Sequence, residues 1–106
     1  MANHELAKIF FEIADYLEAA GVAFKPFAYR RAALALEGME KDAAGIYGEG
    51  GVKALEEIPG VGLSIAKKIE EYLKTGHVAY YDRLKKKLPV DLEELTAIEG
   101  LGLRLA

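Results

Sequence analysis

Residues 55–69 read Leu55-Glu56-Glu57-Ile58-Pro59-Gly60-Val61-Gly62-Leu63-Ser64-Ile65-Ala66-Lys67-Lys68-Ile69, and the rest of the chain is arranged around them. The core of the stretch is apolar-Pro-Gly-apolar-Gly, followed at once by residues with helical periodicity. Two glycines open backbone angles closed to other residues and leave no Cβ between the turn and anything that approaches it. Successive N–H groups then point outward where the next helix begins. A helix start carries partial positive charge and unsatisfied donors, so it accepts a phosphate oxygen without any base contact. Val61 is expected to anchor the turn, with Leu55, Ala66, Ile69 and Leu73 joining the flanking helices. The alternative is a tight helix–helix turn with no ligand.

Working outward, the spacing predicts an all-α fold, because no segment alternates with period two. Leu6, Ile9, Phe10, Ile13 and Leu17 give a first helix over about residues 3–20, with Asn3 as N-cap and Gly21 as stop. Pro26 suits the first turn of a second helix that ends near Gly38, and its alanines allow close approach by a neighbour. A short third helix is expected over 42–47, closed by Gly48, Gly50 and Gly51, and then a brief one over 52–57. Longer helices follow over 63–74, stopped at Gly76, and 79–87, ended by Pro89. A last one is expected from Asp91. Near the end, Ile98-Glu99-Gly100-Leu101-Gly102 with Ala106 repeats the spacing of Ile58-Pro59-Gly60-Val61-Gly62 with Ala66. The chain therefore reads as a domain over 1–88 followed by 89–106, the truncated start of a second hairpin unit.

Composition narrows the function classes. The chain has 106 residues, enough for one modest core, and no cysteine for a disulfide or a thiolate metal site. His4 and His77 are isolated, and the scattered carboxylates give no two-metal cluster. No apolar run is long enough to span a membrane, and Met1-Ala2-Asn3-His4-Glu5 does not resemble a signal peptide, so a cytoplasmic location is expected. The apolar stripes look no wider than one core needs, which predicts a monomer. Net charge is −3 but unevenly spread. Residues 1–50 hold five Lys/Arg against eight Asp/Glu, residues 51–87 hold eight against five, and residues 88–106 hold one against four. The basic middle third is what a local anion-binding face looks like. The run Lys85-Lys86-Lys87 reads equally as a solvated helix face.

Three pieces in order, Ala28-Tyr29-Arg30-Arg31-Ala32-Ala33, the hairpin over 55–69, and Glu71-Tyr72-Leu73-Lys74-Thr75-Gly76, join the opening Glu5-Leu6-Ala7-Lys8-Ile9-Phe10. Together they resemble the amino-terminal, lyase-type helix-hairpin-helix domain of bacterial family X (polymerase beta-like) DNA polymerases. The resemblance covers essentially the whole chain. It implies a four-helix domain that holds gapped or nicked DNA at its 5′-phosphate side in base excision repair. It also implies a K+ or Na+ ion at the hairpin, held by the main-chain carbonyls of Glu56, Ile58 and Val61. Mg2+ and polymerase chemistry are expected only in a domain downstream.

The hairpin reading puts a phosphate at Gly60, Val61, Gly62 and Ser64, and the resemblance adds Lys25 and Tyr29, with Arg30 and Arg31 as backbone contacts or solvated charges. Some members remove a 5′-deoxyribose phosphate through a Schiff-base lysine, and Lys68 stands at that position. The helical projection puts Lys68 at the edge of the apolar stripe, near Tyr72 and one turn from Ser64. There it is either a lysine of lowered pKa or one that lays its stem over the core. Lyase-active members carry lysines where this chain has Glu56, Ser64 and Tyr80. Three functions stay open: DNA binding, 5′-deoxyribose-phosphate lyase activity, and a protein-interaction module.

Overall fold

The computed structural model describes residues 2–87, whose regular structure is all helical, with no strand among them. α1 spans Ala2–Ala19, α2 Lys25–Gly38, α3 Ala43–Leu55, α4 Leu63–Thr75 and α5 Ala79–Lys87. The helix expected from Asp91, the second hairpin and the unit over 89–106 lie outside the described residues.

α1 and α2 form the main packed pair, and α3 and α4 form the second. Leu6, Phe10, Ile13 and Leu17 of α1 meet Tyr29, Ala32, Ala33 and Leu36 of α2 in one buried cluster. Each large apolar side chain removed from water contributes about 1.5–3 kcal/mol. Ala32 and Ala33 are fully buried, so the two helix backbones approach closely there, as the small residues suggested. Leu55, Ile58, Val61, Ala66 and Ile69 extend the same cluster under the hairpin, and Val78 closes it where α5 begins.

Two expectations change. Asn3 lies inside α1, 3% exposed, rather than capping it. Its amide donates to the Lys41 carbonyl at 2.9 Å and accepts from the Ala43 N–H at 2.7 Å, so it ties α1 to the start of α3. Asp42 is the residue that caps α3, accepting from the Ala44 N–H. The glycines of α3 also act differently. Gly48 and Gly50 sit within the helix, and the break comes at Gly51, where φ is 68°. The short helical stretch that runs into the hairpin starts after that kink.

α5 is held to α1 by side chains. Tyr81 donates to the Glu12 carboxylate and lies edge-on to Tyr16, with ring centroids 6.5 Å apart. Burial and that carboxylate raise the Tyr81 pKa. At the other end, the Glu71 carboxylate of α4 accepts from the Ala79 N–H at 3.1 Å, which fixes the first turn of α5.

Candidate nucleic-acid interface

The hairpin turn is closed by the Val61 N–H donating to the Ile58 carbonyl at 2.9 Å. Pro59 and Gly60 fill its two central positions. With Gly60 at φ 86°, this is the residue pattern of a type II turn, in which only glycine is unstrained at the third position. Ile58 and Val61, each 5% exposed, pin the turn from below. Gly60 rests against the backbone of Arg31 in α2, whose nearest atoms lie 3.5 Å from where a Cβ on Gly60 would stand. Gly62 then serves as the N-cap of α4 in an extended conformation and provides no capping side chain. Gly62, Leu63 and Ser64 are exposed. The positive end of a 13-residue helix, with glycine before it, therefore opens onto solvent.

Lys68 stands one turn further along the same helix. Its Nζ donates to Ser64 Oγ at 3.1 Å and lies 4.9 Å from the Tyr80 ring centroid and 6.0 Å from that of Tyr29. The two rings are stacked, 6.2 Å apart with 19° between their planes. Burial against them lowers the Lys68 pKa; Glu71 opposes the shift, and the charges of Lys25 and Arg83 add to it. Burial also pushes the Tyr29 hydroxyl up to about 12, helped by Tyr80 and partly offset by Ser64. A pocket of about 280 Å3 opens beside this group, between α4 and α5, lined by Ser64, Lys67, Lys68, Glu71, Tyr80 and Arg83. Three cations thus face one carboxylate, which already caps α5.

A family model described as a helix-hairpin-helix domain matches residues 1–78. This chain belongs to the helix-hairpin-helix domain family. Helix-hairpin-helix domains are associated with non-sequence-specific DNA binding. No curated protein matches the chain significantly. The match ends at Val78, so Tyr80 and Arg83 reach the pocket from a helix that lies beyond it.

The residues singled out in the sequence fall into three groups within the helix-hairpin-helix domain. Gly60, Val61, Gly62 and Ser64 form the turn and the start of α4. Lys68 and Tyr29 meet beside them, and exposed Lys25 is near enough for its charge to act on Lys68. Arg30 stands apart, because its guanidinium donates to Asp15 at 2.8 Å and Glu18 at 2.7 Å, across the seam between α1 and α2. It sits in a partly exposed ion pair, so a phosphate would have to compete with two carboxylates for it. Lys68 lies against Tyr80 and Tyr29, neither of which the helical projection of α4 could show.

Sequence reasoning missed one feature of the site and one beside it. Arg83 lies with its guanidinium carbon 5.8 Å from the Tyr80 centroid, opposite in sequence to nothing that hints at the pairing. Phe24, directly before Lys25, is 89% exposed at φ 69°, and the Lys25 N–H donates to the Ala23 carbonyl across it at 2.7 Å. That is a tight three-residue turn at a positive φ, which costs a bulky side chain on the order of 1–3 kcal/mol. Phe24 therefore lies outside the core, at the N-cap of α2 and directly before Lys25.

Proposed function

We propose that this helix-hairpin-helix domain binds gapped or nicked DNA through backbone phosphates, without reading sequence, as the amino-terminal domain of a polymerase beta-like repair polymerase. The uncapped, solvent-facing start of α4 beside Lys68, Lys25 and Arg83 carries the reading. Amide donors at a helix N-terminus and flexible cations recognise phosphate oxygens, which are the same in every sequence. The domain resemblance supplies the substrate class, and a monomeric protein is part of the proposal.

A K+ or Na+ ion at the hairpin belongs to the same proposal. The Ile58 carbonyl already accepts one hydrogen bond and keeps a second lone pair. Uncharged carbonyl oxygens from Glu56, Ile58 and Val61 in one turn suit a weakly held monovalent cation. Such an ion would add positive charge at the turn.

The test is fluorescence anisotropy of one-nucleotide-gapped DNA, with and without a 5′-phosphate, at 50 and 200 mM salt. With three lysine or arginine contacts, log Kd should change with log salt by a slope of about 2.7, an affinity loss of about 40-fold. Salt-independent or absent binding would remove the proposal.

A second reading is supported by the Lys68 environment. A lysine with a lowered pKa holds more of its amine neutral than a free lysine does, which favours attack on a carbonyl. In that reading, Nζ adds to the C1′ aldehyde of a 5′-deoxyribose phosphate and expels water to form an imine. Loss of a C2′ proton then breaks the C3′–O3′ bond, releasing DNA with a 5′-phosphate, and water hydrolyses the imine to regenerate the amine. Borohydride reduction would trap the adduct in the parent protein and not in Lys68→Ala. A parent protein that traps no adduct is a binding module only.

A further inference from the structure

α2 has an outer face that the core does not use. On a projection of about 100° per residue, Phe27, Arg31 and Leu34 fall together, opposite Tyr29, Ala32, Ala33 and Leu36. Phe27 is 66% exposed and Leu34 61%, so this helix shows more apolar surface than one core requires. The Arg31 guanidinium carbon lies 5.8 Å from the Phe27 ring centroid. Isolated exposed apolar residues are ordinary, but two that lie two turns apart on one face with an arginine between them form a patch.

Charge, shape and position indicate what covers it. Glu37 is the only acidic residue of α2, and it lies off this face, 3.5 Å from His4. Arg30, on the flank toward α1, already holds Asp15 and Glu18. The face therefore carries an exposed arginine beside Phe27 and no carboxylate of its own helix, on a chain of net charge −3. A phenyl ring beside a guanidinium suits a nucleobase, which stacks on the ring while the cation meets the neighbouring phosphate. The strip is also continuous with the hairpin, because Gly60 packs on the Arg31 backbone.

We propose that Phe27, Arg31 and Leu34 form a stacking platform for unpaired bases of single-stranded DNA that runs off the hairpin. The platform rests on the hairpin reading for its direction, but the two can fail separately. Base stacking is sequence-tolerant, since every base has a π-face, so it suits a domain that also holds phosphates without reading sequence.

The experiment compares two ligands of the full chain: a thymidine octamer carrying one 2-aminopurine, and a nicked duplex with no unpaired base. Phe27→Ala should bind the octamer about tenfold more weakly or worse, and the 2-aminopurine quenching seen with the parent should be lost. Phe27→Tyr should restore both, while all three proteins bind the nicked duplex within about twofold. Phe27→Ala that matches the parent on the octamer, or loses equally on the duplex, overturns the platform. So does a parent protein that does not bind the octamer. Phe27→Leu at parental affinity would show that apolarity and not stacking matters, and would assign the face to a protein partner. Failure of the hairpin reading would instead appear as Gly62→Ala binding the nicked duplex at parental affinity.

Discussion

Two glycines of the hairpin, one residue apart, should separate folding from binding. At Gly60 φ is 86°, so alanine there enters the left-handed region at a cost of about 1–2 kcal/mol. No clash adds to this, because the new Cβ would meet the Arg31 backbone at 3.5 Å, an ordinary contact. For a domain of this size that energy lowers Tm by roughly 5–15 °C. Gly62 has φ −93° and nothing within 4 Å of its would-be Cβ. Alanine there trades a few tenths of a kcal/mol of capping against a stiffer unfolded chain, leaving stability within about 0.5 kcal/mol. Its methyl group would nonetheless stand where a phosphate oxygen approaches the first amides of α4. Losing one charge-assisted contact, worth about 1.5–3 kcal/mol, should weaken DNA binding about tenfold or more. Thermal melts followed by circular dichroism and anisotropy titrations with gapped DNA measure both quantities. If Gly62→Ala melts as early as Gly60→Ala, or binds DNA within twofold of the parent, the assignment of roles is wrong.

Further predictions follow from the same geometry. Asn3→Ala removes two hydrogen bonds and leaves the Ala43 N–H buried without its partner, so it should cost about 2–4 kcal/mol in denaturant unfolding. Arg30→Gln should cost under about 1 kcal/mol, because its partners are largely exposed, and should leave gapped-DNA affinity within about twofold. In an NMR titration of 13C-methylated lysines, Lys68 should lose its proton at lower pH than a free lysine. Arg83→Gln should move it back up and Glu71→Gln further down. Since burial disfavours the ammonium, the folded state binds fewer protons at Lys68 than the unfolded chain does. The Lys68 contribution to stability should therefore rise as pH climbs from its depressed pKa toward that of a free lysine.

The hairpin was legible because its chemistry is local. Leu55, Ile58, Val61, Ala66 and Ile69 occupy fixed offsets, and Gly60 can be read as a positive-φ position from Pro59 beside it. Features that depend on tertiary placement were not legible. A buried Asn3 that bridges two helices looks in sequence like an Asn that caps one. Gly48 and Gly50 are helix breakers by propensity, yet they stay helical while Asp42 caps the helix and the Lys41–Glu49 ion pair spans its first two turns. Arg30 is committed to two carboxylates on another helix, which no spacing along α2 reveals. Tyr80 and Arg83 join Lys68 only because Val78, Tyr81 and the Glu71 cap fix the orientation of α5. Ser64 and Tyr80 looked like losses of cationic residues, and in the fold they are the groups that touch the Lys68 amine.

The central claim is that the start of α4 is the surface that meets DNA. An amide-shift titration with one-nucleotide-gapped DNA, with and without a 5′-phosphate and at two salt concentrations, tests it most directly. Shifts centred on Gly60, Val61, Gly62, Ser64 and Lys68 that weaken with salt, and extend to Lys25 and Tyr29 when the 5′-phosphate is present, are the predicted result. Shifts elsewhere with the hairpin amides unmoved would contradict the claim and leave the hairpin as a helix–helix turn.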